Sequence, residues 1–563
     1  MTDPSNDPRL VAQAAELSRA LRLHPLVARA LVARGRVEPS SVAKFLAPRL
    51  ADLTRPDAMA DREVAAERLA RAIHHRERVA VFGDYDVDGI TSTALLTRAL
   101  RAMGAEVAPF VASRFDGGYG FSDAALARVM ACAPRVLVTC DCGTSDHPRI
   151  AEARRRGVDV IVVDHHKVPD EPLPAMAFLN PHRPECGFPY KHLASVGIAF
   201  SIAAAVRARV DAAMDLRPLL DLVALGTVAD VAPLDGDNRI LVRAGLARVN
   251  AGEASPGLRA LMQQVRIRHR LSSRDVAFSI APSLNAPGRL GPATPTLSLL
   301  LAEREDDAVA RAQALVDANA HRKTISSDLI QRAAAQCREV YGASPPAGVV
   351  LAGEGWHHGM GGIVAGRLVE QLGVAVVVVA IEGEVGVGSV RAPRGTRLYD
   401  AVAACRDELL TFGGHDAAAG LRVHRSRIEA LRARFAEAVA AAGRVTLSEP
   451  EVDVSLGEED LSYGLAHALE QLEPTGEANA EVVASLRDAR LSDARVVAES
   501  HLRLTFSLGR RAIGAFVRDG VALRARGEVP AVGQRVEVVG RLRADPWSGE
   551  EGVQIDVMTL RSR

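Results

Sequence analysis

Short apolar runs alternate with helix-like segments from residue 78 onward, and this alternation limits the fold more than any other feature of the chain. The runs RVAVFGDYD, AEVAPFVAS, RVLVTCD and VDVIVVDHH have the length and composition of buried strands, and TSTALLTRALRAMG after the first has helical periodicity. Strands separated by helices form a parallel sheet with both faces covered. We therefore predict an α/β domain that binds its ligand at the carboxyl ends of its strands.

Acidic and imidazole side chains gather where four of these elements end. The clusters are Asp84, Asp86 and Asp88 in VFGDYDVDG, Asp141 in VTCDCG, Asp164, His165 and His166 in VVDHH, and Asp230 in LGTVADV. Two unit charges ~4 Å apart interact by about 4 kcal/mol at an effective dielectric of 20, so carboxylates that share a cavity need raised pKa values or bound cations. Mixed Asp and His ligands suit Mn²⁺, and Mg²⁺ where oxygens dominate. The sequence thus predicts a site for two divalent ions.

Other interpretations of DYDVDG are weaker. An EF-hand loop needs a glutamate at its twelfth position, which here is Leu95, and does not follow a buried strand. A phosphatase that forms an aspartyl phosphate would use a strand-end DxD without a DHH partner. Solvated turn aspartates would explain one cluster but not four. A histidine pair in isolation more often packs in the core or lies on the surface than binds a metal. We expect Cys140 and Cys142 beside Asp141 to be buried thiols.

The remainder of the chain divides into a long helical region, a second α/β unit and a β-rich end. Few helix breakers occur from 303 to 341, and GVVLAGEGW, VAVVVVAI and VGVGSV then read as strands. Past residue 450, HLRLTFSL alternates strictly, which favours a small OB-like barrel over a generic β-sandwich. The expected segments are a helical extension (1–75), the parallel-sheet domain (76–302), a connecting helix (303–343), the second α/β domain (344–446) and the OB-like barrel (447–563).

Composition restricts location and partners. The formal net charge is zero, so any nucleic-acid surface must come from local clusters of basic residues. Six cysteines without a CxxC pair suit reduced thiols in a cytoplasm. The N-terminus lacks the basic flank and apolar region of a signal peptide, and the longest apolar run, at 374–381, has only strand length. We therefore expect a cytoplasmic protein without a membrane partner, and a monomer.

VVDHH together with GDYDVDGITSTAL resembles the DHH phosphoesterase superfamily. Further segments resemble its RecJ branch, the single-strand-specific 5′-to-3′ DNA exonucleases, and the likeness covers nearly the whole chain. These segments are RFDGGYGFS at 114–122, ADVAPL at 230–235, LNAPGRLG at 284–291, GWHHG at 355–359 and FGGH at 412–415. The branch pattern usually has proline where this chain has His358.

The resemblance implies roles for individual residues. The matching metal ligands are Asp86, Asp88, Asp141, His165 and Asp230, with Asp84 and His166 alongside. Asp141 would bridge two ions, and Asp164 would orient a histidine. The matching phosphate-contacting residues are Arg289, Ser389, Arg391, Gly413, Gly414 and His415. Arg289 would read a terminal 5′-phosphate with its guanidinium fork.

The resemblance also implies an activity, namely two-metal-ion hydrolysis of single-stranded DNA from its 5′ end to 5′-mononucleotides, in DNA repair and recombination. A narrow channel would exclude duplex, so a helicase and a single-strand-binding protein are expected partners. Two alternatives stay open: a phosphodiesterase or pyrophosphatase for small substrates such as oligonucleotides or cyclic dinucleotides, and a catalytically inactive DNA-binding scaffold. In the barrel, Arg503, Arg510 and Arg511 are candidates for backbone contacts, and Phe506, Phe516 and Trp547 either stack on bases or fill the core.

Overall fold

The structure, a computed structural model, begins with a helical extension. It describes residues 7–115, 120–415, 417–443, 450–498, 500–525, 527–545 and 552–562. The extension consists of α1 (Pro8–Leu21), α2 (Pro25–Ala33), α3 (Pro39–Leu46) and α4 (Arg62–His74). The first three helices have proline in the first turn, where a missing N–H costs no hydrogen bond.

The first α/β domain is built on a five-stranded sheet in the order β2-β1-β3-β4-β5, and every neighbouring pair is parallel. Because both faces are covered by helices, β1, β3 and β5 are buried along their whole length. The strands are β1 (Val79–Gly83), β2 (Val107–Val111), β3 (Val136–Cys140), β4 (Asp159–Val163) and β5 (Ala177–Leu179).

Ten helical segments complete this domain. They are α5 (Val87–Ala102), α6 (Asp123–Met130), α7 (His147–Arg155), α8 (Ser195–Arg209), α9 (Leu220–Ala229), α10 (Gly236–Asn250), α11 (Pro256–Gln264), α12 (Ser273–Asp275), α13 (Ala281–Leu290) and α14 (Thr294–Leu300). A π-helical turn, Val276–Ile280, joins α12 to α13 without a break. Helices α5, α8 and α9 pack on one another and bring distant parts of the chain to the sheet edge.

A 37-residue helix, α15 (Glu305–Tyr341), leads to a second α/β domain. The sheet of this domain is mixed, in the order β6-β7-β8-β10-β9, with β6 and β7 parallel and the other pairs antiparallel. Its elements are β6 (Gly348–Glu354), α16 (Gly361–Leu372), β7 (Ala375–Glu382), β8 (Val385–Arg391), α17 (Leu398–Ala403), β9 (Leu409–His415), β10 (Ala418–His424) and α18 (Ile428–Ala442).

The C-terminal part is a small barrel rather than a sandwich. Strand order β12-β13-β14-β16-β15 closes because β15 also pairs with β12, and β11 adds to β12. The elements are β11 (Val454–Leu456), α19 (Tyr463–Leu469), β12 (Ala484–Val497), β13 (His501–Leu508), β14 (Arg511–Val517), α20 (Gly520–Ala525), β15 (Arg535–Ala544) and β16 (Val553–Ser562). The predicted fold class, two α/β domains joined by a long helix and followed by an OB-like barrel, is confirmed.

Short 3-10 turns link several of these elements. They are Leu50–Asp52, Pro56–Ala58, Arg217–Leu219, His358–Met360, Arg406–Glu408, Arg425–Arg427 and Glu470–Leu472. Within the described ranges, no helix is both long enough and apolar enough to cross a lipid bilayer. The five segment boundaries expected from the sequence remain predictions.

The N-terminal extension shares its core with the C-terminal barrel, a packing that the sequence did not predict. Leu17 and Leu31 of the extension belong to the same buried cluster as Phe506 of β13. Arg239 of α10, in the first α/β domain, contacts both parts. Its buried guanidinium lies 3.7 Å from the Phe45 ring centroid. It donates one hydrogen bond to the Phe45 carbonyl of the extension and three to carbonyls of residues 472–474 in the C-terminal part. The two ends of the chain therefore stabilise one another.

Candidate metal centre and phosphate site

Three candidate aspartates follow neighbouring parallel strands. Asp84 follows β1, Asp141 follows β3 and Asp164 follows β4. Their backbone N–H groups continue the sheet by one residue, donating to Cys140, Val163 and Leu179 carbonyls at 3.1, 2.9 and 3.0 Å. All three side chains are buried at the carboxyl edge of the sheet. This is the edge at which the strand pattern predicts a ligand.

The DYDVDG loop brings Asp86 and Asp88 to the same edge by turning sharply into α5. Asp86 caps the helix, its Oδ1 accepting from the Gly89 N–H at 3.0 Å. A Cβ at position 89 would lie 2.5 Å from the backbone nitrogen of Asp84. Only glycine permits so close an approach of the loop to itself.

Asp88 is held by a helix more than 100 residues away. Its carboxylate accepts from the Ser195 and Val196 N–H groups in the first turn of α8, at 2.8 and 2.9 Å. The Ser195 hydroxyl donates to Asp141 Oδ1 at 3.2 Å. Since the positive end of a helix dipole favours a carboxylate, α8 orients Asp88 and fixes Asp141 beside it. Sequence reasoning missed Ser195.

Two histidines complete the cluster with different partners. His165 Nε2 lies 3.2 Å from Asp141 Oδ1, 3.8 Å from Asp230 Oδ2 and 4.0 Å from Asp88 Oδ2. His166 Nδ1 instead hydrogen-bonds Asp164 Oδ1 at 2.7 Å. Asp164 also accepts from the backbone N–H groups of His165, His166 and Thr144. Asp164 therefore orients the histidine loop from behind.

The pKa values reflect the crowding of acids. Burial, and then repulsion by Asp86, raises the pKa of Asp88 to about 7 and the pKa values of Asp84 and Asp141 above their ordinary range. Burial, followed by Asp88 and Asp86, raises the pKa of Asp230 to about 9. Without cations, these groups resist ionisation at neutral pH.

The pKa values of the two histidines shift in opposite directions. Burial, and then the neighbouring His166, lowers the pKa of His165 to about 4, so its imidazole is neutral at pH 7 and can ligate a metal. Burial also opposes the charge on His166, but the hydrogen bond to Asp164 raises its pKa to about 9. Cys140 and Cys142 are buried as expected, and burial raises the pKa of both thiols. They are therefore poor ligands.

The donor set fits divalent metal ions. Three groups of residues have ligand atoms within 4.8 Å of one another: Asp84, Asp86 and Asp141; Asp88, His165 and Asp230; and Asp141, His165 and His166. Buried Asp84 Oδ2 and His165 Nε2 make no hydrogen bond within the described structure. Unsatisfied buried polar atoms are costly, and coordination would satisfy both. Carboxylate oxygens with imidazole nitrogen suit Mn²⁺ and Mg²⁺.

A cavity lined by arginines and acids opens beside the cluster. Asp86, Asp88 and Asp230 line this cavity together with Arg114 and Arg289. Burial lowers the pKa of Arg289 to about 10, and the nearby positive charges of Arg114, Arg322 and Arg391 act in the same direction. Mutual repulsion of guanidinium groups is relieved by a bound anion, so the surroundings of Arg289 are suited to phosphate.

Arg114 and Arg322 received no role from the sequence. Arg114 packs over the Tyr85 ring at 4.3 Å, which aims its guanidinium at the cavity. Arg322 lies on α15, where its Nε donates to Asn319 Oδ1 at 3.0 Å. Asn319 in turn donates to the Ser283 hydroxyl of α13. Arg114 belongs to the quoted segment RFDGGYGFS, whereas Arg322 lies in an ordinary helical sequence that carries no motif.

The second domain contributes Ser389 and Arg391 of β8. A Cβ at Gly361 would lie 3.1 Å from Ser389 Oγ, and one at Gly362 would lie 2.9 Å from Arg391 Nη2. Both side chains therefore reach the amino-terminal end of α16, a ready anion site. A Cβ at Gly359 would lie 2.2 Å from the Arg289 carbonyl oxygen, so this turn also abuts the first domain.

The FGGH segment lies on the edge strand β9. Residues Ser389, Gly420 and Gly413 form one row across the sheet, and Arg391, Ala418 and His415 form the next. Of the two glycines, Gly414 is required by conformation, with a φ of +140° and only 2.4 Å between its Cβ position and Ala418 O. A Cβ at Gly413 would have no heavy atom within 4 Å, so the surface at this position is open.

The barrel candidates divide between packing and surface. Phe506 is fully buried in the barrel core, and Phe516 of β14 packs edge-on against His501 at 5.3 Å. Arg503 pairs with Asp545 at 3.0 Å, Arg511 donates to the Leu461 carbonyl, and the Arg510 backbone N–H donates to Glu458. Trp547 lies outside the described residues.

Comparison with known proteins matches this architecture segment by segment. Residues 78–227 match the DHH family, N-terminal domain, residues 346–441 the DHHA1 domain, and residues 452–559 the RecJ OB domain. The single-stranded-DNA-specific exonuclease RecJ of Dickeya dadantii is 37% identical over 517 residues, which cover 87% of this chain and 88% of that protein.

Solved structures agree. The crystal structure of RecJ from Thermus thermophilus in complex with Mn²⁺ superposes with a TM-score of 0.81 at 32% identity, covering 98% of this chain and 78% of the other. The complex with Mg²⁺ gives a TM-score of 0.76 at 31% identity, covering 98% and 77%. Since sequence likeness extends through all three matched domains and the fold agrees over nearly the full chain, this protein belongs to the RecJ family of DHH proteins.

Proposed function

We propose that this chain is a single-stranded-DNA-specific 5′-to-3′ exonuclease that releases 5′-mononucleotides in DNA repair and recombination. The observation that carries the proposal is a single cavity lined both by acids of the kind that bind metal ions and by arginines. Such a cavity suits a phosphodiester held at the metal site while a terminal phosphate contacts Arg289 and Arg391. The names of the relatives support single-stranded DNA as the substrate.

We propose Asp86, Asp88, Asp141, His165 and Asp230 as the ligands of two Mn²⁺ or Mg²⁺ ions, with Asp84 and His166 alongside. Bound ions would activate a water molecule and stabilise the leaving oxygen. The residues of the chain position this chemistry: α8 fixes Asp88 and Asp141, and Asp164 orients His166. Arg289, Ser389, Arg391 and the 413–415 segment would hold the 5′-terminal phosphate.

The finer expectations about partners and location also belong to this proposal. An exonuclease restricted to single strands requires a helicase to supply its substrate and meets single-strand-binding protein on it. The six cysteines are free thiols, in keeping with a reducing cytoplasm. We propose that the chain acts there as a monomer.

A digestion assay tests the activity. A 5′-phosphorylated single strand, the same strand blocked by a bulky group at its 5′ end, a matched duplex and a dinucleotide are incubated with enzyme and Mn²⁺. We expect mononucleotides from the first substrate alone at high rate, loss of activity in Asp141→Ala, and full activity in the surface control Asp170→Asn. Preference for the dinucleotide would favour a small-substrate phosphodiesterase, and no turnover of any substrate would favour a scaffold.

A further inference from the structure

Phe115 of the first α/β domain reaches across to the second domain. Its ring centroid lies 4.8 Å from that of His358 and 6.1 Å from that of His357, both in the short turn between β6 and α16. Phe115 directly follows Arg114, one of the arginines that line the cavity beside the acids. The ring is therefore a link between the second domain and a cavity arginine.

The turn at 357–360 meets the first domain at a second point. A Cβ at Gly359 would lie 2.2 Å from the Arg289 carbonyl oxygen, and Leu290 packs against the buried cluster that contains Met360. Within the part of the chain that the structure describes, the cavity wall includes no residue of this turn. The turn can therefore act on a substrate only through the first-domain residues that it touches.

His358 is held in place by a glutamate of the adjacent strand. Its Nδ1 hydrogen-bonds Glu382 Oε1, at the end of β7, at a distance of 3.1 Å, and only 22% of the His358 side chain is exposed. Proline, the residue of the branch pattern at this position, has no side-chain group that could make this bond. Histidine here thus adds a contact that orients the ring beside Phe115.

The guanidinium of Arg114 depends on packing for its position. Its Nε is buried and makes no hydrogen bond within the described structure, and the group lies over the Tyr85 ring at 4.3 Å. Burial, and then the charge of His358, lower the pKa of His357, and the charge of Arg114 acts in the same direction, so the guanidinium lies near the turn. A displaced Phe115 would therefore shift its neighbour Arg114 in the cavity.

We propose that His358 is a positioning residue, which fixes Phe115 and thereby holds the Arg114 guanidinium towards a substrate phosphate. The inference rests on the proposed exonuclease function. Aromatic pairs at such distances favour one arrangement by an amount equivalent to about 2- to 10-fold in an equilibrium constant. Loss of the pair should weaken substrate binding by no more than this factor, because Arg114 itself stays in the protein.

Steady-state kinetics on a long 5′-phosphorylated single strand test the role. His358→Ala should raise KM about 2- to 10-fold with kcat unchanged, and His358→Phe, which restores a ring beside Phe115, should keep the wild-type KM. Glu382 is 67% exposed, so Glu382→Ala removes the anchor of the imidazole without disturbing the core and should raise KM in the same direction. His424→Ala removes another histidine that pairs with an exposed glutamate, Glu384, and is the matched control.

Double mutants separate positioning from a general loss of stability. If His358 acts through Arg114, His358→Ala should leave KM unchanged in an Arg114→Ala background, and Phe115→Ala should behave as His358→Ala does in both backgrounds. The contact itself is followed by fluorine NMR with para-fluorophenylalanine in place of Phe115, in EDTA. The resonance should shift in His358→Ala and stay unchanged in His424→Ala.

The failures are distinguishable. If wild type degrades long single strands and His358→Ala matches it in KM, the inference is wrong while the proposed function stands. The same conclusion follows if the effects of His358→Ala and Arg114→Ala on KM multiply, because His358 then acts by another route. If wild type does not degrade single strands, the proposed function fails and the inference fails with it.

Discussion

Replacing Asp230 by asparagine should stabilise the metal-free protein while weakening its response to metal. Asp230 lies among Asp88, Asp86 and the histidine pair, and burial with these acids raises its pKa from 3.8 to about 9. The folded protein therefore holds a proton on Asp230 that the unfolded chain releases above pH 4. Its contribution to stability is fully present below that pH and falls as the pH rises towards 9.

The size of the effect follows from the shift. One pKa unit corresponds to 1.36 kcal/mol, so at pH 8 the four units above the ordinary pKa of 3.8 amount to about 6 kcal/mol at most. Asparagine has nearly the same shape and carries no charge, so the variant avoids this penalty. For a domain of this size, a gain of even half that energy corresponds to a rise in Tm of roughly 10 °C.

Thermal unfolding in EDTA at several pH values, repeated with Mn²⁺, measures both effects. We expect the wild-type Tm to fall between pH 5 and pH 9 in EDTA and to rise strongly with Mn²⁺ at pH 8. Asp230→Asn should show a flatter pH dependence, a higher Tm in EDTA and a smaller gain from Mn²⁺. Asp170→Asn, at an exposed site, should behave as wild type. A lower Tm for Asp230→Asn in EDTA, or an unchanged gain from Mn²⁺, would refute the electrostatic argument.

Three further changes test the phosphate site, the loop and the histidine orientation. Arg289→Lys removes a guanidinium fork worth about 1.5–3 kcal/mol for charged partners, so KM for 5′-phosphorylated strands should rise about 10- to 100-fold, with little change for 5′-hydroxyl strands. Gly89→Ala forces a Cβ to within 2.5 Å of the Asp84 nitrogen. The free energy of unfolding, measured by urea denaturation, should therefore fall by more than about 1 kcal/mol. Asp164→Asn should bring the His166 pKa, measured by NMR in EDTA, from about 9 back towards 6.5.

Sequence patterns predicted that these acids meet at one edge of the sheet, because their positions obey a local rule. Each of Asp84, Asp141 and Asp164 directly follows a strand, and parallel neighbours must place such residues at one edge of the sheet. The glycine after DYDVD marks a turn for the same local reason. The alternation of strands with turn residues was likewise enough to indicate a barrel at the C-terminal end.

Contacts between distant segments escaped prediction. The backbone N–H groups of Ser195 and Val196 bind the Asp88 carboxylate although more than 100 residues separate them in sequence. No sequence motif indicates such a contact, because any residue can supply a backbone N–H. Arg322 comes near Arg289 because α15 packs on α13, and helix periodicity does not reveal which turn of a helix lies near a distant residue. The packing of the N-terminal helices on the barrel could not be predicted either, since an apolar helix face does not specify the element against which it packs.

Counting bound Mn²⁺ tests the central claim, that acids from separate loops share a pair of divalent ions. Equilibrium dialysis followed by elemental analysis should find two Mn²⁺ per wild-type chain and a loss of bound metal in Asp141→Ala, with Asp170→Asn unchanged. A wild-type chain that binds no Mn²⁺, or an Asp141→Ala variant that keeps both ions, would contradict the claim.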